Sequence, residues 1–236
     1  MEFARVVAFG AHAFDVEVTA GGMLAKLSRQ GSEITIVHMT LGEMGYPVPG
    51  QAGAYAAQKQ AEAQRSAALI GALIRVLGYE DTRLPNDDGA KLAVCDLIRE
   101  LRPDLVLTHW QGSWHKDHRN AHELVMDGLF LAGLPGLARD RPATSVRAVW
   151  FPENWEDPIG FVPQYYEDIS GAYDQWLGAI DAYALSRSDL AAFPYRDYYT
   201  ALARVRGCQV GVRYAEAFMT VEPLRIQLIN NFVAKP

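Results

Sequence analysis

The sequence predicts an α/β fold in which a mostly parallel sheet is flanked by helices. Short apolar runs rich in β-branched residues alternate along the chain with stretches of helical periodicity, and this alternation is typical of a parallel sheet with right-handed crossovers. The 236 residues are 50% hydrophobic and 21% charged, a composition that supports one large folded core. Ligands bind such sheets beyond the carboxyl ends of the strands, so functional residues are expected at that edge.

The first strand is predicted over residues 5–12, where an apolar run ends at a histidine. A helix follows over 17–30, because small and apolar residues recur there on one stripe and a glycine can end it. A second strand over 33–40 leads into a turn-rich loop at 42–47. The later predicted elements are a helix at 56–70, a strand at 73–77, a helix at 91–101, a strand at 105–109, and helical segments at 170–185 and 195–205.

The composition changes after residue 151 to Trp, Tyr, Pro and Gly up to about residue 168. This texture predicts a loop-rich aromatic flap rather than a second domain. Most of its aromatic rings are expected to pack in the interior, with some free to line a substrate pocket. We find no internal repeat, and we predict a single domain over residues 1–236.

The charge and cysteine content exclude several classes of protein. Lys and Arg number 22 against 28 Asp and Glu, for a net charge of −6, and no basic run is present, so nucleic-acid partners are not expected. Cys95 and Cys208 are too far apart in sequence for a thiolate zinc motif and favour a reducing cytoplasm. The beginning of the sequence does not resemble an export signal, and no apolar run approaches about 18 residues, so we expect neither export nor a membrane partner.

Three of the six histidines fall within eight residues, just after the fourth predicted strand. His115 and His118 can present two imidazoles to one side of a helix start, and Asp117 between them can fix a ring tautomer. An isolated pair of this kind is more often an ordinary helix start. However, His12 and Asp15 follow the first strand and lie at the same predicted edge. Two imidazoles and a carboxylate with one open position are typical of a catalytic divalent metal site.

Five segments together resemble the PIG-L/LmbE-like family of zinc-dependent N-deacetylases. Residues 11–22 are similar to the family pattern A-H-P-D-D-x-E-x-x-A-G-G, and residues 115–118 to its H-P-D-H pattern. Residues 40–45, 102–109 and 211–218 are similar to T-x-G-E-x-G, R-P-D-x-V-x-T-H and Y-A-E-x-F. The resemblance runs in order over about residues 5 to 220.

The resemblance implies a Rossmann-like fold that holds Zn²⁺. Members of the family hydrolyse N-acyl groups of small molecules, typically acetyl from an amino sugar, with a zinc-activated water. The implied ligands are His12, Asp15 and His118.

Four further residues take implied roles from the same resemblance. His115 would support the oxyanion or protonate the leaving amine, and Asp117 would orient it. Glu43 and Lys59 match positions at which relatives bind substrate. Glu43 lies on the T-x-G-E-x-G loop, and Lys59 stands where many relatives have arginine.

The first motif departs from the family pattern at two successive positions. Phe14 replaces the aspartate that acts as general base, and Ala13 replaces the preceding proline. Losing a positioned base typically costs roughly 10²–10⁴ in rate. Glu17, Glu43 or His115 are the candidates to replace it, and a phenyl ring beside the metal favours an apolar or aromatic acyl group over a hydrated sugar.

Two functions therefore remain open from the sequence. The first is a zinc-dependent amide hydrolase with altered proton transfer, acting on a small N-acylated molecule. The second is a zinc-containing protein that has lost deacetylation and either binds a ligand or catalyses a different reaction. His38 and His109 are expected to be buried structural residues. The sequence does not identify the substrate. It is compatible with a homo-oligomer but does not determine the oligomeric state.

Overall fold

The computed structural model describes residues 3–187, 190 and 193–221, which form a seven-stranded sheet flanked by helices. The predicted α/β fold is thereby confirmed. The elements are β1 (Arg5–Gly10), α1 (Asp15–Arg29), β2 (Glu33–His38), α2 (Ala52–Ile70), β3 (Leu73–Val76), α3 (Asp88–Leu101), β4 (Leu105–Leu107), α4 (Lys116–Ala132), β5 (Ala148–Pro152), β6 (Tyr165–Asp168), α5 (Tyr173–Asp181), α6 (Tyr195–Val210) and β7 (Ala215–Met219). Residues 222–236, which the single-domain prediction includes, lie outside the described residues.

The strand order is β3-β2-β1-β4-β5-β7-β6. Strands β1 to β5 pair in parallel, whereas β7 runs antiparallel to both β5 and β6. Strand β6 lies at the end of the segment predicted to be a loop-rich flap, which has no helix or strand over residues 153–164. Its Tyr-Tyr-Glu-Asp sequence is only partly buried, so it lacks the apolar run that marks the other strands.

The direction of strand order reverses between β1 and β4, because the chain moves from β1 to β2 on one side and later returns to β4 on the other. Such a reversal opens a crevice at the carboxyl edge of a parallel sheet. The loops that follow β1, β4 and β5 all begin at this edge, and the candidate site lies among them.

Both faces of the central strands are buried. Val7 and Phe9 of β1 belong to one apolar cluster, and Val6 and Ala8 belong to the cluster on the opposite face. This explains why β1 appears as a continuous apolar run rather than an alternating one. None of the helices in the described part of the chain combines the length and apolarity needed to cross a membrane.

Helix α1 packs closely on its neighbours at Gly22. A Cβ atom there would lie 2.8 Å from Ile169 Cδ1 and 2.9 Å from Glu216 Oε1, and the Glu216 carboxylate accepts hydrogen bonds from the backbone N–H groups of Gly22 and Met23 at 2.8 and 2.7 Å. The absence of a side chain at Gly22 is thus required by packing.

We expect Gly22→Ala to lower the free energy of unfolding by about 1–3 kcal/mol, because the added methyl group must displace Ile169 or Glu216. In a chain of this size each kcal/mol corresponds to roughly 2–4 °C in Tm. Gly53→Ala is the matched control, since its Cβ would meet nothing within 4 Å. Thermal unfolding checks both, and an unchanged Tm for Gly22→Ala would contradict the close packing.

Candidate active site

The structure brings the three residues of the predicted metal set together. His12 follows β1, Asp15 begins α1 and His118 lies in the first turn of α4. Asp15 Oδ2 is 3.3 Å from His12 Nδ1 and 3.5 Å from His118 Nε2. Two ligands bound at 2.0–2.1 Å in tetrahedral geometry lie about 3.3 Å apart, so each of the two distances from Asp15 suits a pair of ligands on one ion.

The unused nitrogen of each imidazole faces a carboxylate. His118 Nδ1 lies 2.9 Å from Asp157 Oδ1, and His12 Nε2 lies 3.1 Å from Asp81 Oδ1. His118 Nε2 is buried without a hydrogen-bond partner among the described residues. Carboxylates behind the imidazoles and an orphaned nitrogen in front are what a histidine-bound metal requires, so this donor set fits a divalent ion such as zinc.

Other potential metal ligands lie close to His12, Asp15 and His118. Among the described residues, three sets of three donors have their atoms within 4.8 Å of one another. The predicted set is divided between the first and second of them. The sets are His12 with His115 and His118, Asp15 with His109 and His118, and His12 with Asp81 and Asp117.

His109 is buried and hydrogen-bonded, as expected from the sequence, but it lies inside the site. Its ring stacks on that of His118 with centroids 3.9 Å apart, and its nitrogens lie 3.0 Å from Asp157 Oδ2 and 3.2 Å from Asp15 Oδ2. Burial alone would lower the pKa of His109, but the two carboxylates outweigh it and raise the pKa to about 9. Asp157 therefore holds two stacked histidines at once.

Phe14 adopts a strained backbone conformation at the start of α1. Its φ of 99° is unusual for a residue with a side chain and typically costs about 1–3 kcal/mol. The ring is 2% exposed and packs against Tyr183 and Tyr195, with centroids 5.0 and 5.5 Å away. An apolar ring therefore forms part of the wall of the site at this position.

The site opens into a cavity of about 510 Å³, a volume typical of small-molecule pockets. Its polar lining includes His12, Asp15, Asp81, His115, Glu156 and Lys59. Its apolar lining includes Phe14, Val18, Trp155, Leu185, Leu190 and Tyr195. A ligand here would contact ionisable groups and an apolar surface together.

His115 lines the cavity, but its contact with Asp117 differs from the expected one. The backbone N–H of Asp117, rather than its carboxylate, hydrogen-bonds His115 Nδ1 at 3.2 Å. The carboxylate instead accepts from Thr82 N–H at 2.7 Å and lies 3.6 Å from His12 Nε2. Burial and the neighbouring His12 lower the pKa of His115, and the backbone contact leaves Nε2 to carry the proton of the neutral ring.

The two predicted substrate contacts have different surroundings. Lys59 lines the cavity, donates to Ala13 O at 2.7 Å and has its Nζ between 5.4 and 5.9 Å from three aromatic rings. Burial lowers its pKa. Glu43 is not part of the cavity lining, because its Oε1 accepts the backbone N–H of Asp81 at 2.9 Å and so supports the Asp81 loop.

Glu17 is withdrawn from the cavity. It is fully buried, and its carboxylate accepts from Tyr183 Oη at 2.6 Å and from Phe14 N–H at 3.2 Å. His38 Nε2 lies 3.0 Å from the same carboxylate, so His38 is a buried structural residue as expected. Glu17 is therefore a poor candidate for a general base in the cavity.

Residues 7–129, just over half of the chain, match the family described as PIG-L: GlcNAc-PI de-N-acetylase. The chain belongs to the PIG-L family. It is 28% identical to diacetylchitobiose deacetylase from Thermococcus kodakarensis over 92% of this chain and 83% of that protein. It is 25% identical to 4-oxalmesaconate hydratase from Pseudomonas putida over 90% and 87%. It spans about half the length of several other related deacetylases.

The solved structures agree with this assignment. The crystal structure of the conserved protein TT1542 from Thermus thermophilus superimposes on the chain with a TM-score of 0.81 at 27% identity. The match covers 97% of this chain and 99% of that one. The described sheet and helices are thus those of a PIG-L fold.

Two carboxylates of this PIG-L site were missed at the level of sequence. Asp157 and Glu156 follow β5, whose carboxyl end lies at the same edge as those of β1 and β4. Glu156 lines the cavity, and burial together with the charge of Asp15 raises its pKa to about 7. The acidic residues within positions 153–157 could have identified them, but the aromatic texture of the segment was interpreted as flap packing.

Proposed function

We propose that this PIG-L protein is a zinc-dependent hydrolase that removes an N-acyl group from a small molecule. The observation that carries the proposal is the position of Asp15 Oδ2, within 3.3 Å of His12 Nδ1 and 3.5 Å of His118 Nε2 at the wall of the cavity. These three residues would hold the ion. When bound there, zinc would supply the Lewis acidity that activates a water and polarises the acyl carbonyl.

His115 supports the reacting carbonyl in this proposal. Because Nδ1 accepts the backbone N–H of Asp117, the neutral ring carries its proton on Nε2 and can donate it in a hydrogen bond to the oxygen that gains negative charge. Asp117 positions His115 through its backbone and His12 through its carboxylate. Its role is therefore positioning rather than proton transfer.

The apolar lining favours a substrate whose acyl group is apolar or aromatic. Phe14, Tyr195 and Trp155 present rings to the same cavity as the metal set. Lys59 lies among them, and only one of its three N–H donors is taken up by Ala13 O. We therefore propose that Lys59 binds an oxygen of the substrate, while Glu43 acts indirectly by holding the Asp81 loop.

A panel of two amides tests this proposal. N-benzoylglucosamine should be hydrolysed faster than N-acetylglucosamine by about 10-fold or more, because a phenyl group gains apolar contact with the lining of the cavity. Release of free amine, followed with a primary-amine reagent, measures both rates. Hydrolysis of neither amide by the zinc-loaded protein would contradict the proposed hydrolase function.

A second candidate function is the addition of water to a carbon–carbon double bond. It is favoured by the likeness to the hydratase from Pseudomonas putida, which extends over 90% of this chain, together with the replacement of the deacetylase base by Phe14. In this case Lys59 would bind a substrate carboxylate. Loss of ultraviolet absorbance of an unsaturated dicarboxylic acid, without hydrolysis of either amide, would favour this function.

A further inference from the structure

We propose that Glu156 serves as the base that Phe14 cannot provide, by accepting a proton from the water that attacks the acyl carbon. The inference rests on the proposed hydrolase function. The proposed base therefore lies in the loop after β5, whereas Phe14 lies in the loop after β1.

The carboxylate of Glu156 lies next to the metal set. Glu156 Oε2 is 3.6 Å from His118 Nε2, the nitrogen that has no hydrogen-bond partner among the described residues. Its side chain is only 14% exposed and lines the same cavity as Phe14 and His115. No group in the described ranges donates a hydrogen bond to this carboxylate, so its oxygens are available to a water in the cavity.

The backbone of Glu156 is held firmly although its carboxylate is not. Its carbonyl accepts from Trp114 N–H at 3.1 Å and from Ser113 Oγ at 3.0 Å, and its N–H donates to Asn154 Oδ1 at 3.0 Å. The next residue, Asp157, binds His118 and His109. One short segment therefore fixes both a metal-facing histidine and the proposed base, as preorganised catalytic groups require.

The other carboxylates near the cavity are already engaged. Glu17 accepts from Tyr183 and Phe14 behind the wall, and Glu43 accepts from the backbone of Asp81. Asp81 has one oxygen on Met44 N–H at 2.8 Å and the other 3.1 Å from His12 Nε2. Glu156 is left as the carboxylate that faces the cavity with no hydrogen-bonded protein partner in the described part of the chain.

The proposed step conserves protons and electron pairs. An O–H bond of water breaks and its proton passes to Glu156 Oε2, while the water oxygen bonds to the acyl carbon and the carbonyl π pair moves to the carbonyl oxygen, which His115 Nε2–H supports. An electron pair of the oxyanion then re-forms the C=O bond as the C–N bond breaks, the C–N electron pair stays on nitrogen, and nitrogen takes the proton from Glu156. The acid product loses its remaining proton to solvent, and Glu156 returns to its starting state.

Glu156→Gln tests the role because it keeps the shape of the side chain and removes its ability to accept a proton. With N-benzoylglucosamine as the probe, we expect kcat to fall by roughly 10²–10⁴, with zinc content and Tm unchanged. Glu156→Asp should retain part of the activity. Glu153→Gln is the matched control on the same loop, because its carboxylate pairs with Arg206 and does not line the cavity, and it should keep the wild-type kcat.

A second readout does not depend on turnover. Benzohydroxamic acid combines a zinc-binding group with a phenyl ring, and its N–H or O–H can donate to the Glu156 carboxylate. We expect Glu156→Gln to raise its Kd about 10-fold or more and Glu153→Gln to leave it unchanged, as measured by calorimetry with the zinc-loaded proteins.

Unchanged kcat in Glu156→Gln, or loss of zinc in parallel with activity, would overturn the role of Glu156 as base. If the wild-type protein hydrolyses neither amide, it is the proposed function that fails. The hydroxamate measurement then tests the position of Glu156 independently of turnover. Equal Kd values for the wild-type and Glu156→Gln proteins would overturn its placement beside the metal.

Discussion

Asp15→Asn is expected to remove most of the bound metal and to lower amide hydrolysis by about 10³-fold or more. Asp15 Oδ2 approaches both His12 Nδ1 and His118 Nε2, so no other single atom is as central to the proposed ligand set. A metal ion contributes several kcal/mol of transition-state stabilisation, and about 1.4 kcal/mol corresponds to a tenfold change in rate. Elemental analysis and the N-benzoylglucosamine assay measure the two effects.

The control for this variant is Asp88→Asn. Asp88 begins helix α3 as Asp15 begins α1, but it is exposed and does not line the cavity. It should therefore reproduce any general effect of removing a charge at a helix start. Full metal content and activity in Asp15→Asn would show that the ion is held by other residues.

Phe14→Asp is expected to change activity in opposite directions on two substrates. Hydrolysis of N-acetylglucosamine should rise, because a carboxylate that can accept a proton is placed on the wall of the cavity. The gain should stay below the roughly 10²-fold that a base contributes at minimum, since Glu156 already occupies the same cavity. Hydrolysis of N-benzoylglucosamine should fall, because a buried charge costs several kcal/mol where an apolar group is to bind.

Phe14→Asn separates proton transfer from backbone strain in this experiment. Asn and Asp both tolerate positive φ better than Phe, and both remove the ring from Tyr183 and Tyr195, but only Asp can accept a proton. Steady-state rates on both amides, with zinc content as a check, decide the comparison. A gain on N-acetylglucosamine that is equal in Phe14→Asn and Phe14→Asp would show that the introduced carboxylate does not act as a base.

The sequence was informative wherever function depends on strand ends and local spacing. The apolar run at β1 and the His-x-x-His segment at α4 placed His12, Asp15 and His118 at one edge, and the structure brings their ligand atoms within 3.5 Å of Asp15 Oδ2. Parallel topology makes such an inference reliable, because the carboxyl ends of neighbouring strands must meet.

The sequence was less informative about residues whose role in the site depends on the direction of their side chains. Asp157 and Glu156 are adjacent, yet only the folded loop after β5 shows that one supports His118 and the other faces the cavity. Glu43 was expected to contact substrate but bonds to the backbone of Asp81. Its direction depends on how the 3₁₀ turn at Glu43–Gly45 meets the Asp81 loop, which local spacing does not encode.

The left-handed conformation of Phe14 was also beyond sequence reasoning. A bulky residue is rarely placed at φ 99°, so nothing in its identity indicates that geometry. The strain is retained because the ring is fixed between Tyr183 and Tyr195. Packing contributed by residues about 170 to 180 positions later in the chain therefore determines the wall of the site.

The metal content of the wild-type protein and its link to activity test the central claim most directly. Protein purified without chelator should contain one zinc per chain, should lose its amide hydrolysis when the metal is removed by dialysis against a chelator, and should regain it when one equivalent of zinc is returned. Undiminished hydrolysis by folded protein that contains no metal would contradict the account.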